Sequence, residues 1–222
     1  MLEYINYTVP SRILQEVSAN LPEFDRRIDL NVPTGDFFYD KWVVSPEFKN
    51  TIWEELLNTL PLDFGQARLM KLEPEQCYRT HADADNRYHL TLSGTHSFLI
   101  DLDTQTMHPT QLDGKWYLMD ASRRHSAVNF GETTRVQLVI RKLLTRGNLS
   151  NPTTVEISID PSVTNNFRYI FDDIFSPWIN TKDQLGLINN FKMLANDRVS
   201  FTTENYLVQE LLNICPDGFN II

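Results

Sequence analysis

A chain of 222 residues, 41% hydrophobic and 11% aromatic, can bury one sizeable core, which excludes disorder as a description of the whole. Its 20 basic and 29 acidic side chains leave a net charge of −9, which argues against a nucleic-acid backbone as the main partner. No run approaches the roughly 18–20 apolar residues of a membrane span. The start, MLEYINYTVPSRILQEV, lacks the basic residues and apolar run of a secretory leader. Cys77 and Cys215 lie far apart without C-x-x-C spacing, so neither a disulfide framework nor a zinc ribbon is indicated, and a reducing, cytoplasmic setting is expected.

In chain order, Ser11 is placed to cap a helix running to Leu21, with Ile13, Leu14 and Val17 at helical spacing. Residues 46–60, PEFKNTIWEELLNTL, predict a second helix with Phe48, Ile52, Leu56 and Leu57 on one face, between Pro46 and Pro61. From Ala67 to Leu144 the texture changes to short β-prone runs: ARLMKL, YHLTL, HSFLIDL, KWYLMD, SAVNF and RVQLVIRKLL. Asp113-Gly114, between TMHPTQL and KWYLM, signals a tight hairpin. Short strands with turn chemistry between them predict an antiparallel sandwich or barrel such as a jelly roll. The remainder offers a strand (TTVEISI), a YIFDDIF segment and an amphipathic helix near ENYLVQELLNI, with no motif tied to chemistry. The expected organisation is mainly β with flanking helices over 1–145, followed by a small α/β extension over 146–222. No internal repeat is present.

The polar residues of interest fall in the β-rich middle. In an extended chain His81 and Asp83 share a face, and a later strand can bring His125 beside them. Two imidazoles and one carboxylate on one side of an ion form a facial triad with open positions opposite. Asp85 is an alternative acid only if the chain runs straight; otherwise it belongs to the turn into RYHL, where its replacement is expected to be mild. Period-two arithmetic sorts the neighbours. Arg87 and His89 lie opposite Tyr88, Leu90 and Leu92; Arg135 and Gln137 lie opposite Val136, Leu138 and Ile140; Asn129 shares a face with His125. Such a polar face, with two arginines, suits a dianionic carboxylate beside a metal. Arg68, Tyr78 and Asn129 are further candidates for the pocket. Trp116 is either a substrate platform or core, His96 and His108 are expected to face solvent, and Arg123-Arg124 is either a solvated pair or a steering patch.

Over roughly residues 67–144 the chain resembles the Fe(II)- and 2-oxoglutarate-dependent oxygenases, in particular their aspartyl/asparaginyl β-hydroxylase-like and proline hydroxylase-like branch. The resemblance rests on His81-x-Asp83, Arg87-x-His89, the distal His125 with Asn129, and Arg135 ten residues further on. It implies a double-stranded β-helix (a cupin-like jelly roll) with Fe(II) on His81, Asp83 and His125. It also implies that Arg135 grips the far carboxylate of 2-oxoglutarate and that Arg87 and His89 touch the same co-substrate. The implied reaction uses O₂ to hydroxylate an amino acid, free or peptidyl, with release of succinate and CO₂. In carrying Asp83 the chain departs from the animal aspartyl hydroxylases, whose substrate is therefore not carried over. Two other classes compete. One is a cupin-like metal-dependent hydrolase or isomerase without 2-oxoglutarate, against which Arg135 argues. The other is a non-catalytic metal-binding or structural protein, against which the intact ligand set argues.

Overall fold

The computed structural model describes residues 2–159, 167–195 and 197–222, so the expected C-terminal extension is followed apart from 160–166 and 196. Strand β1 (Leu2–Thr8) leads into helix α1 (Ser11–Ala19), the short strands β2 (Arg27–Asp29), β3 (Asn31–Pro33) and β4 (Trp42–Val44), and helix α2 (Ile52–Leu57). Helix α1 follows Pro10, and Ser11 is its first residue rather than its side-chain cap. The long helix expected over 46–60 is a 3₁₀ turn at Pro46–Phe48 and then α2. Asn50 sits at φ 58°, outside helical geometry, and Thr51 restarts the chain by accepting the Trp53 N–H at 3.2 Å.

Seven strands then build the central fold: β5 (Phe64–Leu72), β6 (Arg87–Ser93), β7 (Ser97–Asp101), β8 (Thr106–Pro109), β9 (Lys115–Met119), β10 (His125–Asn129) and β11 (Arg135–Lys142). The larger sheet has the order β1-β9-β6-β11-β5-β2 and the smaller one β10-β7-β8. Both are antiparallel. Isolated bridges Cys77↔Val128 and His81↔His125 add the segment before β6 to the edge of the smaller sheet. This is a jelly roll. The larger sheet buries Tyr88, Leu90, Leu92, Val136, Leu138 and Ile140 against α1 and α2, and its opposite face lines the interior. The Asp113-Gly114 turn forms, with Gly114 at φ 69° and the Lys115 N–H on Asp113 at 3.0 Å, yet it joins no hairpin. Its flanking strands part company, β8 pairing β7 and β9 pairing β1 and β6, because the chain crosses between sheets there.

After β11 come β12 (Pro152–Ile159) and α3 (Phe167–Ile170), which passes through a π-helical turn at Phe171–Phe175 into α4 (Ser176–Gln184). Strands β13 (Ile188–Ala195) and β14 (Arg198–Glu204), helix α5 (Leu207–Ile214) and β15 (Phe219–Ile221) complete a sheet of order β13-β14-β12-β15. Its core, including Val155, Ile157, Phe175, Phe191 and Phe201, also takes in Tyr39, Ala84 and Leu144 from the jelly-roll side. Both cysteines are free thiols. Among the described residues no helix is long and apolar enough to cross a membrane.

Asp183 on α4 accepts the Thr145 N–H at 2.8 Å where the chain leaves the jelly roll, and burial pushes its carboxyl up from 3.8 to about 6. With the folded value above the unfolded one, the protonated acid favours folding; that contribution is complete below 3.8 and is lost as pH rises through about 6. Asp183→Asn keeps the acceptor and removes the charge, so it should stabilise the chain at pH 7 by about 1–3 kcal/mol and flatten the stability profile between pH 4 and 6. Urea unfolding at several pH values measures both, and an unchanged profile would contradict the assignment.

Candidate metal centre

Each ring of His81 and His125 is fixed by the backbone. The backbones of these residues pair, His81 N–H on the His125 carbonyl at 3.0 Å and His125 N–H on the His81 carbonyl at 2.8 Å. Each Nδ1 lies against a carbonyl two residues back, that of Arg79 at 2.9 Å and that of Arg123 at 2.8 Å. A carbonyl can only accept, so Nδ1 carries the proton and Nε2 keeps its lone pair. The two Nε2 atoms lie 4.0 and 3.8 Å from Asp83 Oδ2, and the three donor atoms fall within 4.8 Å of one another. Burial lowers the His125 pKa, although the Asp83 charge opposes it, so the ring is a ready lone-pair donor at neutral pH. Two imidazole nitrogens and one hard oxygen, each steadied from behind, suit a divalent first-row metal bound on one face.

Asp83 divides its oxygens between two tasks. Oδ2 faces the histidines, while Oδ1 accepts from Arg87 Nη2 at 3.0 Å. Burial alone would raise this carboxyl, but Arg87 first, then His81 and His125, hold it well below the carboxylate range. Arg87 is buried and pairs also with Asp85, whose other oxygen takes Arg141 Nη1 at 2.6 Å. Asp85 lies in the bend that leads into β6, as expected, and is also the centre of a buried ionic chain. Arg87, expected to touch the co-substrate, lines the cavity while committed to these two acids.

The cavity beside the triad holds about 320 Å³. Its floor is the polar face of β6, β11 and β5, where His89 stands opposite Val139 and Val139 opposite Arg68. Arg135 is 1% exposed, and its nearest partner is the Gln137 amide oxygen, which also accepts from His89 Nδ1 at 3.0 Å. Arg135 Nε and His89 Nε2 find no hydrogen-bond partner. Burial lowers the Arg135 guanidinium to about 10 and the His89 imidazole to about 3. A buried cation facing a cavity without a carboxylate partner among the described residues fits an anionic ligand. Gly94, at φ 98°, passes so close that a Cβ there would lie 2.8 Å from the Arg135 Cα, which fixes the end of β11.

Of the residues considered for the substrate pocket, Arg68 and Tyr78 line the cavity, though the Tyr78 hydroxyl is committed to the Lys71 carbonyl at 3.0 Å. Trp116 does not. It is fully buried in the core on the other face of the larger sheet, its indole N–H on Thr59 at 3.0 Å. Asn129 has the right parity but lies two steps beyond Ala127, where it holds the Leu72 and Thr133 carbonyls and the Gly131 N–H. Arg123 and Arg124 are not merely solvated, since they pair with Asp101 and Asp103 at 3.2 and 2.8 Å. His96 is exposed and His108 half-buried.

Sequence reasoning missed Gln137 as a link between Arg135 and His89, Arg141 as part of the ionic chain, and the whole contribution of the C-terminal layer. Asp172, in the π-helical turn, pairs with Arg79 beside His81. Asn180 on α4 donates to the Asp83 carbonyl at 3.0 Å and to Asn86 Oδ1 at 3.1 Å. The metal-binding loop is thus gripped from outside the jelly roll.

The two acids should separate cleanly on substitution. Asp83→Gly removes a ligand and should weaken Mn(II) or Fe(II) binding by more than the roughly 10–100-fold that loss of an outer-shell partner costs, with modest loss of stability. Asp85→Ala strands Arg141, leaves Arg87 with Asp83 alone, and should destabilise the fold by about 3–5 kcal/mol. Calorimetric metal titration and urea unfolding read the two effects, and the reverse pattern would exchange the roles.

Residues 45–143 match the aspartyl/asparaginyl β-hydroxylase family. No curated protein matches the sequence. Among solved structures, a Pseudomonas putida prolyl-4-hydroxylase is similar at 14% identity over 65% of this chain and 93% of its own, with a TM-score of 0.41. AviO1 from Streptomyces viridochromogenes is similar at 12% identity over 63% and 88%, with a TM-score of 0.40. A Bordetella pertussis cupin domain is similar at 10% identity over 54% and 97%, with a TM-score of 0.32. The chain spans only 25% of the length of CapF, which is 16% identical with a TM-score of 0.31. Likenesses this weak say nothing of substrate. The segment that supplies all three candidate ligands and Arg135 lies wholly within the residues that match the aspartyl/asparaginyl β-hydroxylase family, 45–143.

Proposed function

We propose that this protein is an Fe(II)- and 2-oxoglutarate-dependent hydroxylase of an amino acid, free or within a peptide. The observation that carries the reading is Arg135, a buried guanidinium with an unpartnered Nε and no carboxylate among the described residues, opening into the cavity that holds the His81–Asp83–His125 set. His81 and His125 would offer Nε2 and Asp83 would offer Oδ2 to the iron, while Arg135 would hold the far carboxylate of 2-oxoglutarate. When bound together, Fe(II), 2-oxoglutarate and O₂ supply the oxidising chemistry, with succinate and CO₂ as by-products. The chain's own work is positional. Gln137 orients both Arg135 and the His89 ring, burial keeps that ring neutral, and Arg87 holds Asp83 to a single ligating oxygen. The apolar side chains of Leu99, Met119 and Ala127 line the same cavity and limit water there.

A cupin-like hydrolase or isomerase would need the metal but not a buried arginine aimed beside it. A cytoplasmic setting suits the free thiols and an iron kept reduced. Arg135→Ala should leave metal affinity within a few-fold and weaken 2-oxoglutarate binding by about 2–4 kcal/mol. Titration of the Mn(II)-loaded protein with 2-oxoglutarate, together with succinate release from the Fe(II) form, tests this, and unchanged co-substrate affinity would remove Arg135 from the site.

A further inference from the structure

The cavity holds more cationic charge than the co-substrate explains. Around the metal loop the acids and bases match: Asp83 and Asp85 with Arg87 and Arg141, and Asp172 with Arg79. Among the described residues, two cavity guanidiniums have only amide partners. One is Arg135, on Gln137; the other is Arg68, whose Nη1 donates to Gln66 Oε1 at 3.2 Å. Burial lowers Arg68 to about 9, and neighbouring Arg87 and Arg141 push the same way, so the site works against its own charge. Such an arrangement is kept at a cost to stability, which a ligand must offset.

Arg68 is not a second grip on the same co-substrate. It pairs across the sheet with Val139, four residues along β11 from Arg135, so their backbones are separated by about 13 Å of strand. Arg68 feels Arg87, Arg141 and Asp83, and Arg135 feels Tyr78, which lies within reach of both guanidiniums. Their backbones stand at opposite ends of the floor.

Beside Arg141 a second, larger cleft of about 560 Å³ opens, sharing Asp83, Arg87, Arg141 and Asp172 with the first cavity and lined also by Asp36, Asp85 and Lys192, whereas Arg68 lines the first cavity. Phe37 and Phe38 form one wall and hold the Arg141 guanidinium over their rings at 5.1 and 5.4 Å. Phe191, Met193 and Leu194 of β13 form the other, with Met193 and Leu194 left 37% and 50% exposed. Of the acids along the cleft, Asp83, Asp85 and Asp172 are matched to arginines and Asp36 accepts from the Phe38 and Tyr39 N–H groups, so apolar walls that meet a cavity holding a metal centre and an unbalanced cation suit an amphiphilic anion. We propose that this cleft and Arg68 seat the primary substrate, and that the substrate is a carboxylate bearing an apolar body of aromatic size. The assignment rests on the hydroxylase reading and names the substrate class for the same centre.

The test titrates the full Mn(II)-loaded chain with 3-phenylpropionate, and with 3-phenylpropanamide as the uncharged control, with and without saturating 2-oxoglutarate. Binding of the acid in both conditions, at least tenfold tighter than the amide, is expected. Arg68→Gln should weaken the acid tenfold or more while leaving 2-oxoglutarate affinity unchanged, and Arg135→Gln should do the opposite. In the absence of ligand, Arg68→Gln should melt no lower than the parent, since it removes an unbalanced buried charge. N-acetylphenylalanine, titrated in parallel, supports the seat whichever acid binds more tightly, and its rank distinguishes an amino-acid terminus from a simple acid. The proposal falls if 3-phenylpropionate competes with 2-oxoglutarate, if Arg68→Gln leaves its affinity unchanged, or if that variant melts several degrees lower with unaltered binding. Loss of 2-oxoglutarate binding in the parent, with Arg68-dependent binding of the acid intact, would overturn the hydroxylase reading and not the seat.

Discussion

Asp83 is asked to be a metal ligand and an ion-pair partner at once, and the site depends on its doing both. A carboxylate left free to rotate could offer either oxygen, or both, to an ion. Arg87 takes Oδ1 and leaves Oδ2 toward the histidines. That guanidinium is itself fixed by Asp85, and Asp85 by Arg141, so the orientation of one ligand is set through three further charges. Ionic chains of this kind are weak as a source of stability, because desolvation consumes most of the attraction. Their worth here is geometric.

The jelly roll supplies the strands of this arrangement but not all of its restraints. The loop carrying Asp83 leaves the edge of the smaller sheet after His81, and from Ala82 to Asn86 it has no long strand to hold it. The C-terminal layer does part of that work. Ala84 packs into the layer's core, Asn180 holds the Asp83 carbonyl, and Arg79 reaches Asp172 while lying over the Tyr169 ring at 4.3 Å. The extension thus acts on the centre through the loop backbone, and it also walls the cleft on which the substrate assignment rests.

How much of this the sequence discloses follows from where the chain is regular. Along β6 and β11 the pleat is long and nearly straight, so parity separates Tyr88, Leu90 and Leu92 from Arg87 and His89 without error. Parity says nothing of distance, which is why Asn129 has the correct face but the wrong neighbourhood. Nor can a tight-turn signal tell a hairpin from a crossing between sheets, so Asp113-Gly114 leads to the wrong pairing, while Trp116, open between platform and core, is core. The local pattern at 46–60 is helical, but the positive φ at Asn50 breaks it. Asp85 and Arg141 lie 56 residues apart and meet only in the folded chain. The strands β13 and β14, rich in Asn, Ser and Thr, are hidden because they lack the apolar alternation on which strand recognition depends.

Charges that build the fold differ from charges left unbalanced in the cavity. Arg87 and Arg141 are each matched to an acid, and both belong to the scaffold. Among the described residues Arg68 and Arg135 have only amide oxygens, which satisfy a hydrogen bond but leave the charge unbalanced. A neutral partner orients a guanidinium without neutralising it, so it preorganises the cation for an anion that arrives later. Gln137 does this for Arg135 at one end of the floor, and Gln66 does it for Arg68 at the other. The metal triad lines the same cavity as both. On the proposed reading, the two oriented and unspent charges would seat two anions rather than one, each without disturbing the ionic chain that holds Asp83.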